Sequence, residues 1–89
     1  IHTVGPVYAG GGRGEAALLA SAYRRCLEVA SANDVASLAF PSISTGAYGY
    51  PIAEAAGIAL ATVRDAVPAH PGIRLVRFVL FDEADLRVY

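Results

Sequence analysis

The sequence predicts an α/β fold built on a parallel sheet. Three observations point to it. Apolar, β-branched runs at residues 1–4, 35–40 and 73–81 alternate with two stretches of helical periodicity, 15–32 and 52–67. Alternation of this kind makes βαβ units and hence parallel strands. The connections between the runs are rich in Gly, Pro and Ser, the residues of turns and loops.

Each element follows from its own pattern. Ile1-His2-Thr3-Val4 alternates, so a short strand is expected, stopped by Gly5-Pro6. Gly10, Gly11, Gly12 and Gly14 make a flexible loop carrying Arg13. From Glu15 to about Ala32, Leu19, Tyr23, Cys26 and Ala30 recur at spacings of four and three, a helical face widened by Leu18, Ala22 and Val29. Glu15 in the first turn suits the helix dipole, and Asn33-Asp34 ends the helix. Residues 35–40 are almost continuously apolar, as in a strand covered on both faces. In the second helix Ile52, Ala56, Ala59, Val63 and Ala66 form the apolar stripe, with Pro51 at its start and Pro68 and Pro71-Gly72 closing it. A third strand over 73–81 leads to Asp82-Glu83-Ala84-Asp85, which can cap a short terminal helix. Parallel strands would carry loops 5–14 and 42–50, together with Phe81-Asp82, to one edge of the sheet. Open α/β sheets bind ligands at that edge.

Composition narrows what such an edge could hold. The chain has 89 residues, enough for one small domain, and a formal net charge of −1. That balance gives no broad electrostatic footprint for nucleic acid. All seven basic residues are Arg, so an anion would be held by backbone N–H groups or by a few Arg. The single cysteine, Cys26, rules out a disulfide within the chain and fits a reducing compartment such as the cytoplasm. Its place on a core face makes inert packing its default role. No apolar run approaches the roughly 18 residues needed to span a bilayer, so no membrane partner is expected. The sequence has no Met and opens inside an apolar run, so it reads as the C-terminal part of something longer.

The organising stretch is Phe-Pro-Ser-Ile-Ser-Thr-Gly-Ala-Tyr-Gly-Tyr-Pro, residues 40–51. It lies between a strand and a helix. Gly46 and Gly49 let another molecule approach the main chain. Consecutive N–H groups before a helix form an anion site that needs no cation. Thr45 and residues 46–49 can therefore cradle a diphosphate, with Tyr48 and Tyr50 as an aromatic lid; an ordinary Gly-rich turn with buried tyrosines is the plainer alternative. The 10–14 loop also precedes a helix, but it matches neither the Walker nor the Rossmann pattern, so a mobile surface loop is the reading favoured over a phosphate site. Phe81 ends a strand at the binding edge and suits either base stacking or core packing. His2 sits inside an expected strand with no carboxylate or nucleophile at readable spacing and reads as structural, His70 lies in a Pro-rich turn and reads as solvated, and no cluster has metal-ligand spacing. No Gly-x-Ser-x-Gly elbow surrounds Ser42, Ser44 or Thr45, so they are not read as nucleophiles.

Ile1-His2-Thr3-Val4-Gly5-Pro6, the 40–51 stretch and Phe81-Asp82-Glu83 together resemble the macro domain family, and most the branch of ADP-ribosyl hydrolases and O-acetyl-ADP-ribose deacetylases. The resemblance spans essentially the whole chain. It implies a three-layer α/β/α sandwich, of which this chain supplies a βαβαβ portion with a short C-terminal helix. It implies an ADP-ribose cleft at the strand ends, with Ser44, Thr45, Gly46, Ala47, Tyr48 and Gly49 around the diphosphate. Tyr48 would pack beside the distal ribose, Pro41 and Ser42 would line the adenine side, and Phe81 would lie near the adenine ring. ADP-ribose, O-acetyl-ADP-ribose or an ADP-ribosylated protein are the implied partners; no cofactor or metal is implied.

The family's N-terminal half has no counterpart here, including its Gly-rich loop with the catalytic Asp, so catalytic residues cannot be assigned. Turnover by substrate positioning and a bound water would belong to the complete protein. A non-catalytic ADP-ribose-binding module, or an inactive truncated form, is the alternative. Three strands would leave unpaired sheet edges, so the chain is expected to pair with a missing N-terminal segment, another copy or other chains.

Overall fold

A computed structural model describes all residues, 1–89. Helix α1 spans Glu15–Ala32, strand β1 Ser37–Phe40, helix α2 Ile52–Ala66, strand β2 Leu75–Phe78 and helix α3 Glu83–Val88, with a 3₁₀ turn at Val67–Ala69 between α2 and β2. The two strands pair in parallel, Ser37 against Leu75 and Phe40 against Phe78. This is the crossover topology that the alternation of strand and helix patterns predicts.

Residues 1–4 are a correction. They join no ladder, and the sheet has two strands rather than three. The alternating apolar residues are present, but a strand exists only through a partner's N–H and C=O groups. β1 pairs with β2 alone, so residues 1–4 have no hydrogen-bonded strand partner. Ile1 and Val4 remain exposed.

The core lies on one face of the sheet. Leu19, Tyr23, Cys26, Leu27 and Ala30 of α1 meet Ala55, Ala59 and Val63 of α2 over Phe40, with Leu38, Val76 and Phe78 packed against the cluster. The helical face read from the sequence is buried as expected, except that Leu18 and Val29 point outward. The small residues Ala55, Ala56 and Ala59 let α2 approach α1 closely. Along β1 the exposed Ser37 and Ala39 alternate with the inward Leu38 and Phe40; β2 repeats this with Leu75 and Arg77 outward. A covering on both faces, expected from the apolar run, is therefore found on one only. The aromatic rings of Tyr23, Phe40 and Phe78 contact one another at centroid distances of 5.0, 6.1 and 5.9 Å, fixing the carboxyl ends of both strands over α1.

Candidate functional site

The loop leaving β1 is held from beneath by one side chain. Tyr23 is fully buried, and its hydroxyl sits under the loop. It donates to the Pro41 carbonyl at 3.3 Å and accepts from the Ile43 amide at 3.1 Å. Burial raises this phenol's pKa well above the ordinary value, so it stays protonated and available as donor. On one flank the Ser42 hydroxyl meets the Tyr89 hydroxyl at 2.9 Å. On the other, the Tyr8 amide donates to the Tyr48 carbonyl at 2.9 Å. Thr45 closes the loop on itself, its hydroxyl donating to the Ser42 carbonyl at 3.1 Å.

Within this frame the backbone turns sharply. Ser44 has φ +66°, unusual for a residue with a Cβ, and Gly49 has φ +72°. The Gly49 amide donates to the Gly46 carbonyl and the Tyr50 amide to the Ser44 carbonyl. The amides of Ser44, Thr45, Gly46, Ala47 and Tyr48 donate to no acceptor in the chain. Five consecutive N–H groups are thus left for another molecule. Gly49 is a correction: its amide is consumed by the turn, so it shapes the cradle rather than donating to it.

The aromatic lid is a second correction. Tyr50 is buried in the core, its ring 4.9 Å from that of Tyr8, and burial, then the nearby Glu54, raises its pKa. Only Tyr48, 41 % exposed, faces outward beside Gly49. Phe81 is 94 % exposed, so the core-packing reading does not hold. It lines a cleft of about 560 Å³ together with Pro41, Ser42, Thr45 and Gly46. A larger cleft of about 790 Å³ lies on the other side of the loop, between residues 1–5 and β1, and includes Ser42, Ser44 and Tyr48. The structure therefore brings Pro41, Ser42, Thr45, Gly46 and Phe81 around one opening, and Ser42, Ser44 and Tyr48 around the other. Ala47 lines neither cleft and is exposed.

Sequence reasoning missed two features. Gly5 lies so close to the loop that an added Cβ would stand 2.2 Å from the Ser44 hydroxyl oxygen. The 10–14 loop is anchored by Glu15, whose carboxylate accepts from the amides of Ala9, Gly11 and Arg13 at 2.9, 2.9 and 2.6 Å. A Gly-rich run followed by a lone acid at a helix start was the available signal for that anchor.

The family model described as Macro domain matches residues 1–59. The chain belongs to the macro domain family. A macro domain-containing protein of Chlorobaculum tepidum is 54 % identical over all 89 residues, which make up 52 % of its own length. A Salmonella typhimurium protein named O-acetyl-ADP-ribose deacetylase is 53 % identical over the same residues, 50 % of its length. The chain spans about half the length of the curated relatives it matches. Among solved structures, an Oceanobacillus iheyensis macrodomain with ADP superposes with a TM-score of 0.92 at 45 % identity, over 99 % of this chain and 46 % of that one. A Trypanosoma brucei macrodomain in complex with ADP-ribose gives 0.89 at 35 % identity, over 99 % and 36 %. This macro domain chain thus carries the family's α/β fold, and its five open amides lie on the loop after β1.

Proposed function

We propose that the chain supplies the diphosphate-gripping part of an ADP-ribose site. The observation that carries this reading is the run of five unpaired amides from Ser44 to Tyr48, held in place by Tyr23, Tyr8 and Ser42. Consecutive amides before a helix suit a pyrophosphate without any cationic side chain. In this reading Tyr48 packs beside the distal ribose, while Pro41, Ser42 and Phe81 take the adenine side. The ligands named for the structural neighbours, ADP and ADP-ribose, support it.

The complete protein then acts on O-acetyl-ADP-ribose or on ADP-ribosyl esters of proteins, in the cytoplasm, with this chain as the C-terminal part of one macro domain. Relatives named O-acetyl-ADP-ribose deacetylase favour that substrate class. The substrate is positioned by the loop, and a water bound against it attacks the ester. Each strand has an unpaired edge, and the larger cleft runs beside β1 and residues 1–5. A preceding segment or a second copy completes the sheet there. No helix is long and apolar enough to cross a membrane.

A binding role without turnover is the second reading. The hydroxyls of Ser42 and Thr45 favour it, because they hold the loop instead of facing a base: Ser42 meets Tyr89, and Thr45 binds the Ser42 carbonyl. Titration calorimetry of the protein carrying this chain with ADP-ribose tests the site; absence of binding overturns it. Release of acetate from O-acetyl-ADP-ribose separates the two readings.

A further inference from the structure

Glu15 is the one charged side chain buried in the core region, and no Arg pairs with it. A carboxylate out of water needs compensation, and here three backbone amides supply it. What those amides belong to matters. The Ala9 amide, bound by Glu15, is the next peptide after the Tyr8 amide, which donates to the Tyr48 carbonyl. The Tyr8 ring lies against Tyr50, whose own amide closes the turn onto Ser44. A chain of contacts therefore runs from the start of α1, through the 8–13 segment, to both ends of the open-amide loop.

We propose that Glu15 is a positioning residue for ligand binding: by fixing the 9–13 loop it holds Tyr8 against Tyr48 and Tyr50, and so steadies the loop that carries the five unpaired amides. This rests on the ADP-ribose reading above. Gly10 and Gly11, with φ +88° and +86°, give the loop the curvature that brings its amides back onto the carboxylate.

Glu15→Gln tests this directly. It keeps the shape but places an NH₂ against N–H donors, so at least one of the three hydrogen bonds is lost. In the protein carrying this chain, below its melting temperature, the expected result is a Kd for ADP-ribose at least 10-fold higher by calorimetry. Faster hydrogen exchange at the Tyr8 amide accompanies it. A role in stability alone would lower the melting temperature and leave both unchanged. Gly11→Ala keeps the Glu15 carboxylate but strains the loop at one of the amides it holds, and is expected to raise Kd at least 3-fold. A folded Glu15→Gln variant with Kd within 2-fold and unaltered Tyr8 exchange overturns the proposal. If that variant does not fold, Gly11→Ala decides by the same two readouts. If the parent protein does not bind ADP-ribose, the ligand reading falls, and Tyr8 exchange alone decides whether Glu15 controls the loop.

Discussion

Gly46→Val separates the cradle from the fold. Gly46 has no atom within 4 Å of the position a Cβ would take, and its φ is outside the left-handed region. A side chain there strains nothing in the protein, and surface changes of this kind stay within about ±0.5 kcal/mol of stability. The open space it would fill lies beside the unpaired amides of Thr45, Gly46 and Ala47. A diphosphate approaching them would be pushed away. Hydrogen bonds to charged groups contribute about 1.5–3 kcal/mol each. Losing two weakens binding by about 3–6 kcal/mol, roughly 10²- to 10⁴-fold in Kd. The assay is titration calorimetry with ADP-ribose on the protein carrying this chain, beside a thermal melt. Gly49→Val is the contrast: at φ +72° a branched side chain costs about 1–2 kcal/mol, so this variant should lose stability as well. A Gly46→Val protein that melts normally and binds within 3-fold of the parent would show that the amides of this loop do not grip the ligand.

Other outcomes follow from single contacts. Phe81→Ala removes an exposed ring, so stability should change by less than about 0.5 kcal/mol. If the ring stacks on adenine, ADP-ribose affinity should fall about 5- to 150-fold, matching roughly 1–3 kcal/mol per stacked base, while a base-free ribose phosphate binds as before. Gly5→Ala drives a methyl to 2.2 Å from the Ser44 hydroxyl oxygen and 2.4 Å from the Ile43 methyl, and should destabilise by about 1–3 kcal/mol in urea melts. Tyr23→Phe leaves the Ile43 amide and Pro41 carbonyl without their partner, a loss of about 1–3 kcal/mol; a change under about 0.5 kcal/mol would remove Tyr23 as the loop's support. The amides around Glu15, that of Ala9 first, outweigh its burial and lower its pKa from 4.5 to about 2. A depressed folded pKa stabilises above the unfolded value, so this contribution should be complete above pH 4.5 and fade as pH falls toward about 2. In acid titrations Glu15→Gln should flatten that limb.

The helices were legible because a 3.6-residue period survives in a single strip of sequence. Leu19, Tyr23, Cys26 and Ala30 needed no neighbour to declare their face. The strands were legible only in part, since a strand is defined by pairing and residues 1–4 have no partner beside them. In the loop, the exposed amides could be anticipated from Gly46 and the helix that follows. The fates of Tyr48 and Tyr50 could not: two tyrosines around one glycine look alike in sequence, yet the φ of +72° at Gly49 sends one outward and leaves the other in the core beside Tyr8. Glu15 read as a dipole partner because its true partners, three amides of the preceding loop, depend on how that loop curls back.

The same contacts explain how a loop can keep five donors unpaired. Amides without acceptors are an arrangement the chain would relax if it could. Here relaxation is blocked at each end by groups that touch no ligand: the Tyr23 hydroxyl under Pro41 and Ile43, the Tyr89 hydroxyl on Ser42, and the Tyr8 amide on Tyr48. Ordering is therefore met during folding, not during binding, and a diphosphate would find its donors already aimed. Affinity should then depend on the supports as much as on the loop. A variant that weakens Tyr23 or Glu15 would lose binding through a less ordered loop even though no contact to the ligand has been removed.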